Sequence, residues 1–366
     1  MTSVFDLSLS NSKRQDLLKS INKILIDKNF IMGKEVYELE NKLSKIFKIR
    51  NAITCANGTD ALTIALMSLN LPKRSIIFVP NFSYIASAEV ILLNGFIPRF
   101  VDIDYDNFNI CKESLIKNIK NCIRNKEKIS AIISVDLFGY SSDHKSIKSI
   151  ANKYNLKYVI DGAQSLGSKL DQKFNNEYGD IFTTSFFPTK TLGCYGDGGA
   201  IFTNNNILAK KILSIKFHGK GLKKNDHIRI GLNSRLDTVQ AGVLLFKLNT
   251  FFDDIKARQK IAKEYFLKIK NNKITLPKYT RESVFSLFTI KIKSRNKFIN
   301  YLKKNYIGCG VYYDRTFDQQ KVFKKYIKNN NLKNSKLVSK QCVSIPCHAN
   351  LKKNQILKII DVLNNY

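Results

Sequence analysis

Four short stretches carry the side chains that could do chemistry together. In "CANGTDALTIAL" (55–66) a strand-like run ends, Gly58 and Thr59 follow, and a helix is expected from about Asp60. Gly58 lets a ligand approach the backbone, Thr59 offers a hydroxyl that could also cap the helix, and the free N–H groups of a first helical turn attract an anion. In "VPNFSYIASAEV" (79–90) Phe82 and Tyr84 follow another apolar run. Aromatics there usually fill a core, but either ring could lie flat on a planar ligand. "YVIDGAQSLGS" (158–168) ends an apolar strand on Asp161, a carboxylate that is costly to bury without a cation or hydrogen-bond donors. Gln164, three residues on, could reach the same place. "SFFPTKTLGCYGDGGAIFTNN" (185–205) places Lys190 beyond a strand containing Ser185 and ahead of a glycine-rich turn. Partial burial would lower that lysine's pKa and make it a nucleophile toward carbonyls.

Each stretch alone has an ordinary explanation: a capped turn, a core aromatic, a capping aspartate, one more surface lysine. The set is more specific. A phosphate cradle, an aromatic plate, an acid and a lysine, each at a strand end, suit a planar, phosphorylated, aldehyde-bearing cofactor. Lys190 would form a Schiff base with the aldehyde. Asp161 would keep the ring nitrogen protonated, so that the ring accepts electrons from a substrate carbanion.

The elements that must position these residues are legible as alternating apolar runs and helical patterns up to about residue 245. "NAITCA", "SIIFVP", "FIPRFVDI", "ISAIISVDLFG", "KYVIDGA", "IFTTSFF" and "GAIFTN" read as strands rich in Ile, Val and Phe. Such strands between helices imply a buried, mostly parallel sheet in an α/β fold, where ligands sit beyond the carboxyl ends of the strands. Residues 234–271 keep helical spacing of apolar residues and are expected to form one long helix, straight or bent. The expected division is a large cofactor-binding domain over 1–245 and a smaller α+β domain over 246–366, in which the strand "SVFSLFTIKI" (283–292) follows the long helix.

Composition bounds the rest. The chain has 366 residues, 44% hydrophobic, enough for a sizeable core. No apolar run approaches the roughly 18 residues of a membrane span, and the first twenty residues do not read as a signal peptide. The expectation is a cytoplasmic protein with no membrane partner. Seven scattered cysteines argue against a disulfide framework. "CVSIPCH" (342–348) lacks a second ligand pair at finger-like spacing, so no metal is expected. The formal charge of +32, from 61 Lys+Arg against 29 Asp+Glu, invites a nucleic-acid reading. The lysines are spread through the whole chain, however, and no helix-turn-helix or basic arm is visible. The expectation is no nucleic-acid partner. A broad positive field would still attract a small polyanion such as a nucleotide.

"NGTDAL", "DGAQSLG", "SFFPTKTLGCYGDGGAI", "HGKG" and "GLNSRLDTVQA" together resemble the DegT/DnrJ/EryC1/StrS family of PLP-dependent sugar aminotransferases, over roughly residues 20 to 360. The resemblance implies the type I aminotransferase fold, pyridoxal 5'-phosphate as cofactor, an amino-acid donor, and a homodimer with active sites at the subunit interface. It makes Lys190 the Schiff-base lysine, Asp161 the partner of the pyridine nitrogen, Gln164 the residue at the cofactor's phenolic oxygen and Tyr84 the stacking ring. Gly58, Thr59 and Ser185 match phosphate-binding positions, and Asn233 matches an asparagine that reaches the phosphate from the neighbouring subunit.

Relatives with histidine in place of the lysine dehydrate instead, so Lys190 favours transamination over the rival dehydratase reading. "HIRIGLNSRLDTVQAGVLLFKL" is most similar to members acting on UDP-linked 2-acetamido-3-oxo-hexuronic acids in surface polysaccharide (O-antigen) synthesis. Members that aminate 3-keto or 4-keto 6-deoxy sugars carried on UDP or dTDP are the alternative. Arg229 could face a substrate carboxylate or phosphate, or be a solvated arginine. Where the family often has His-Tyr-Pro near the sugar, this chain has Tyr312-Tyr313-Asp314, and Tyr313 is the substrate-side residue expected there. A DNA-binding regulator is the reading outside enzymes.

Overall fold

The computed structural model describes residues 1–223, 225–328 and 331–366. Two helices come first, α1 (Asn11–Asp27) and α2 (Lys34–Ile46). In α2 the apolar positions Val36, Leu39 and Leu43 recur at helical spacing and all three are buried, which fixes the face it presents to the core. There follow β1 (Asn51–Cys55), α3 (Gly58–Ser68), β2 (Ile76–Pro80), α4 (Ala86–Leu93), β3 (Ile97–Val101), α5 (Lys112–Arg124), β4 (Ile129–Val135), α6 (His144–Lys153) and β5 (Lys157–Asp161). A small hairpin, β6 (Lys169–Leu170) and β7 (Lys173–Phe174), precedes β8 (Ile181–Ser185), β9 (Gly199–Thr203) and α7 (Asn206–Lys216).

The seven predicted strands form one sheet in the order β1-β9-β8-β5-β4-β2-β3. It is parallel from β8 across to β3, and β9 runs antiparallel to both neighbours. Both faces are covered, and the period of two shows how. Ile76, Phe78, Ile132, Tyr158 and Ile160 join one apolar cluster. The alternating Ile77, Val79, Ala131, Ile133 and Val159 join the other. Each such Ile, Val or Phe side chain, fully buried, contributes about 1.5–3 kcal/mol.

Residues 234–271 do not form one helix. They give α8 (Thr238–Leu248) and α9 (Phe251–Lys268), parted at Asn249–Thr250. The amides of both parting residues bond three residues back, to Phe246 and Lys247, which tightens and ends the turn. The apolar period continues across the break, so spacing alone could not reveal it.

Beyond α9, β10 (Ile274–Thr275), β11 (Phe288–Ile292), α10 (Arg295–Lys304), α11 (Lys333–Gln341), β12 (Cys342–Ile345) and α12 (Lys353–Asn364) complete the chain. The antiparallel sheet β10-β11-β12 carries its own core, which continues into the first through Phe82, Phe108, Phe138 and Tyr140. The chain start returns to this region: Thr2 bridges Ile307 and Ser8 accepts from Asn350. Among the described residues no helix is long and apolar enough to cross a membrane.

Candidate active site

Asp161 is the last residue of β5 and only 4% exposed. Its Oδ2 accepts from Ser87 Oγ at 2.7 Å and its Oδ1 from the Ala163 amide at 3.1 Å. Burial pushes this carboxyl above its usual range, while those two donors and the charge of Lys190 pull it back. Burial likewise holds the Lys190 amine below its ordinary value, opposed by the charge of Asp161. The two groups therefore feel each other across one site, although 29 residues part them in sequence.

Lys190 sits in a tightly wound loop between β8 and β9. Its amide bonds Phe187 O at 2.9 Å, Cys194 N bonds Phe186 O, and Phe186 N bonds Gly198 O at the loop's neck. Lys247 of α8 closes the outside by donating to Gly193 O at 2.7 Å. The glycine run acts by close approach: a Cβ on Gly199 would lie 2.4 Å from Asn57 O, so only glycine lets β9 abut the start of α3.

That helix start is the expected cradle, with one correction. Gly58 and Thr59 are its first helical residues, and the cap is Asn57, not Thr59. Asn57 Oδ1 accepts from Asp60 N at 2.7 Å and Asn57 O from Ala61 N at 3.1 Å. The amides of Gly58 and Thr59 are left without an acceptor in the helix. Gly58 lies directly against Ser185, the last residue of β8, so that a Cβ there would sit 2.8 Å from Ser185 Cβ. Two N–H groups without a helical acceptor and the Ser185 hydroxyl, drawn close by the absence of a side chain at Gly58, thus converge at the positive end of a helix.

The two aromatic candidates separate. Phe82 is fully buried and edge-on to Tyr313 at 6.2 Å. Tyr84 is 56% exposed, its ring 6.0 Å from that of Tyr313, and only Tyr84 keeps a face free for a ligand. Gln164 is oriented by Phe138, whose amide donates to Oε1 at 2.7 Å; its Nε2 is thereby turned toward Tyr313 Oη, at 3.4 Å. Burial, with the nearby Asp161 charge, pushes the Tyr313 hydroxyl well up, so it stays protonated.

Two candidates stand apart. Asn233 is exposed and lines a cleft of about 500 Å³ with Ala56, Asn57, Asp197 and Arg235. The cleft borders the cradle through Asn57 and the neck of the Lys190 loop through Gly196 and Asp197. Arg229 lies half-buried in the segment between α7 and α8, and its side chain makes no hydrogen bond or ion pair among the described residues. Two residues that hold the site had no sequence signal, Ser87 and, through its backbone, Phe138; Asn57 had one, an asparagine directly ahead of a helix with Asp60 in its first turn.

Comparison with known proteins decides the class. The model of the "DegT/DnrJ/EryC1/StrS aminotransferase family" matches residues 11–364. The chain belongs to that family. A UDP-2-acetamido-2-deoxy-3-oxo-D-glucuronate aminotransferase of Pseudomonas aeruginosa is 36% identical over 100% of both chains. A pleiotropic regulatory protein of Geobacillus stearothermophilus is 32% identical over 98% of this chain and 97% of its own. The crystal structure of a DegT DnrJ EryC1 StrS aminotransferase from Brucella abortus superposes with a TM-score of 0.96 at 36% identity, covering 100% of this chain and 99% of that one.

The fold is therefore the type I aminotransferase fold, and this DegT/DnrJ/EryC1/StrS aminotransferase uses PLP. The residues present fit that cofactor: an anion cradle at Gly58, Thr59 and Ser185, a buried carboxylate, an amine of lowered pKa and one free aromatic face.

Proposed function

We propose that the chain moves an amino group from L-glutamate to the keto group of a nucleotide-linked sugar, a UDP-linked 2-acetamido-3-oxo-hexuronate, for surface polysaccharide synthesis. The observation that carries this reading is the end-to-end similarity to the Pseudomonas aeruginosa UDP-2-acetamido-2-deoxy-3-oxo-D-glucuronate aminotransferase.

In this reading the cradle of Gly58, Thr59 and Ser185 binds the cofactor phosphate, and Tyr84 covers the ring. Asn233 reaches the phosphate from the second subunit of a homodimer. PLP, when bound, supplies the electron sink that lets a C–H bond next to nitrogen ionise. Asp161 holds a proton on the ring nitrogen, its own orientation set by Ser87 and Ala163 N–H. Gln164 Nε2 donates toward the phenolic oxygen. Lys190 holds the cofactor at rest, and once released its Nζ carries the proton from one carbon to the other; its lowered pKa keeps more of it neutral and able to accept. Arg229 and Tyr313 face the sugar. We divide the chain close to residue 245, at the Asn249–Thr250 break because 245 itself lies inside α8, with the first residues packing back on the second domain, and place the protein in the cytoplasm, a reading supported by its seven free thiols.

A screen of UDP- and dTDP-linked keto sugars with L-glutamate tests the substrate. Fastest amination of UDP-2-acetamido-2-deoxy-3-oxo-D-glucuronate is expected; a dTDP-linked 6-deoxy keto sugar turning over faster would instead support the alternative class. The regulatory relative and the charge of +32 give a second reading some footing. Steeply salt-dependent DNA binding without amino transfer to any sugar would favour it.

A further inference from the structure

Two loops meet at the open side of the site. One leaves the end of β2 and carries Phe82, Tyr84 and, at its continuation into α4, the Ser87 that bonds Asp161. The other, between α10 and α11, carries Tyr312 and Tyr313. Their tips form the facing rings of Tyr84 and Tyr313, 6.0 Å apart.

The roots of these loops are joined by a closed set of hydrogen bonds. Asn81 is fully buried. Its Nδ2 donates to Asp318 Oδ1 at 2.9 Å, and its Oδ1 accepts from the Asp318 amide at 3.0 Å. The Asn81 carbonyl accepts from Phe317 N at 2.9 Å, and its own amide bonds Val101 O at 2.8 Å in the large sheet. A second donation, to Ser335 Oγ at 3.0 Å, reaches α11. Asp318 is held further by Thr316 Oγ1 at 2.5 Å and by Lys336 at 2.9 Å. Burial pushes the Asp318 carboxyl up, but these donors outweigh it and keep it ionised. Every polar atom of the Asn81 side chain is used, and the two-way pairing with Asp318 fixes both distance and rotation between the loops. Only three residues run from Asn81 to Tyr84 and five from Tyr313 to Asp318, so little slack separates the joint from the rings.

We propose that Asn81 and Asp318 are positioning residues that set the gap between Tyr84 and Tyr313, and through it the fit of the keto sugar. This rests on the aminotransferase reading above. Asp161, Lys190 and the cradle lie on β5, the lysine loop and α3, and the Tyr84 loop keeps two anchors that do not involve Asp318, the Asn81 amide on Val101 O and Ser87 on Asp161. Losing the joint therefore frees the Tyr313 side of the gap, which faces the sugar, while Tyr84 stays over the cofactor ring and the amino-donor step is spared.

The test uses Asn81→Asp, which sets two carboxylates against each other, Asp318→Asn, and the reciprocal double variant, which restores one amide and one carboxylate. The two half-reactions are followed separately through cofactor absorbance in the holoenzyme, with L-glutamate and with UDP-2-acetamido-2-deoxy-3-oxo-D-glucuronate. Expected for Asn81→Asp are an unchanged cofactor spectrum, a glutamate half-reaction within about twofold of wild type, and a KM for the keto sugar raised about tenfold. The double variant recovers most of that loss. Equal losses in both half-reactions, an altered cofactor spectrum or no recovery in the double variant would reduce the joint to a folding contact and overturn the proposal. A wild-type protein that aminates no keto sugar would instead sink the functional reading itself, so the two failures are told apart in the same experiment. If Asn81→Asp does not fold, Asp318→Asn, which keeps a side-chain oxygen for Thr316, is held to the same split.

Discussion

Ser87 donates its hydroxyl to Asp161 over 2.7 Å, from the first turn of α4 to the last residue of β5. The serine engages Oδ2 and the Ala163 amide engages Oδ1, so the carboxylate cannot swing. Asp161→Ala should lower kcat by roughly 10²–10³-fold, the scale of losing one preorganised electrostatic partner. Ser87→Ala, which frees the carboxylate without removing it, should cost about tenfold or less. Steady-state kinetics of both variants checks this order; a larger loss for Ser87→Ala than for Asp161→Ala would contradict it.

The pH dependence follows from Lys190. Burial places its folded pKa below the ordinary 10.5, and Asp161's charge limits that fall. In the role proposed for Lys190 the neutral amine is the working form, so activity should rise as pH rises through the lowered value and be lost as pH falls below it. Removing the negative charge in Asp161→Asn lets the amine's pKa drop further. The acid limb of the residual kcat profile should then move to lower pH, whereas a shift to higher pH would reverse the sign argued here.

Gly58→Ala places a methyl group 2.8 Å from Ser185 Cβ, against the wall of the cradle. The expected result is a cofactor Kd raised about tenfold or more, equivalent to about 1.4 kcal/mol, with a modest loss of apo stability as Ser185 on β8 gives way. Titration of apo protein with PLP, beside a thermal melt, measures both.

Gly162→Ala is the contrasting case. Its Cβ would fall 1.9 Å from the ring of Phe182, in the core beneath the site. Overpacking should destabilise the fold by about 1–3 kcal/mol, read as a lower denaturation midpoint. A melt equal to wild type would show that the ring can move aside.

Much of the site was legible because a buried parallel sheet brings its carboxyl ends together. Gly58, Asp161 and Lys190 each follow an apolar strand, and topology alone makes them neighbours. What stayed hidden depends on angles that no spacing records. Phe82 and Tyr84 are two residues apart, and only the path of their loop shows that one is core and the other free. Ser87 is an ordinary serine in sequence and becomes a partner of Asp161 only once α4 packs beside β5. The Asn249–Thr250 break lay inside an unbroken apolar rhythm. Asn81 and Asp318 pair across 237 positions, a separation over which composition and period carry no information.

The central claim is that one lysine in a chain with 61 basic residues carries the cofactor. Borohydride reduction of the yellow holoenzyme, followed by digestion and peptide mass mapping, measures this directly. Expected are loss of the colour and a pyridoxyl group on the peptide containing Lys190, absent in Lys190→Ala. A label on any other lysine, or a Lys190→Ala protein that keeps both the colour and normal turnover, would contradict it.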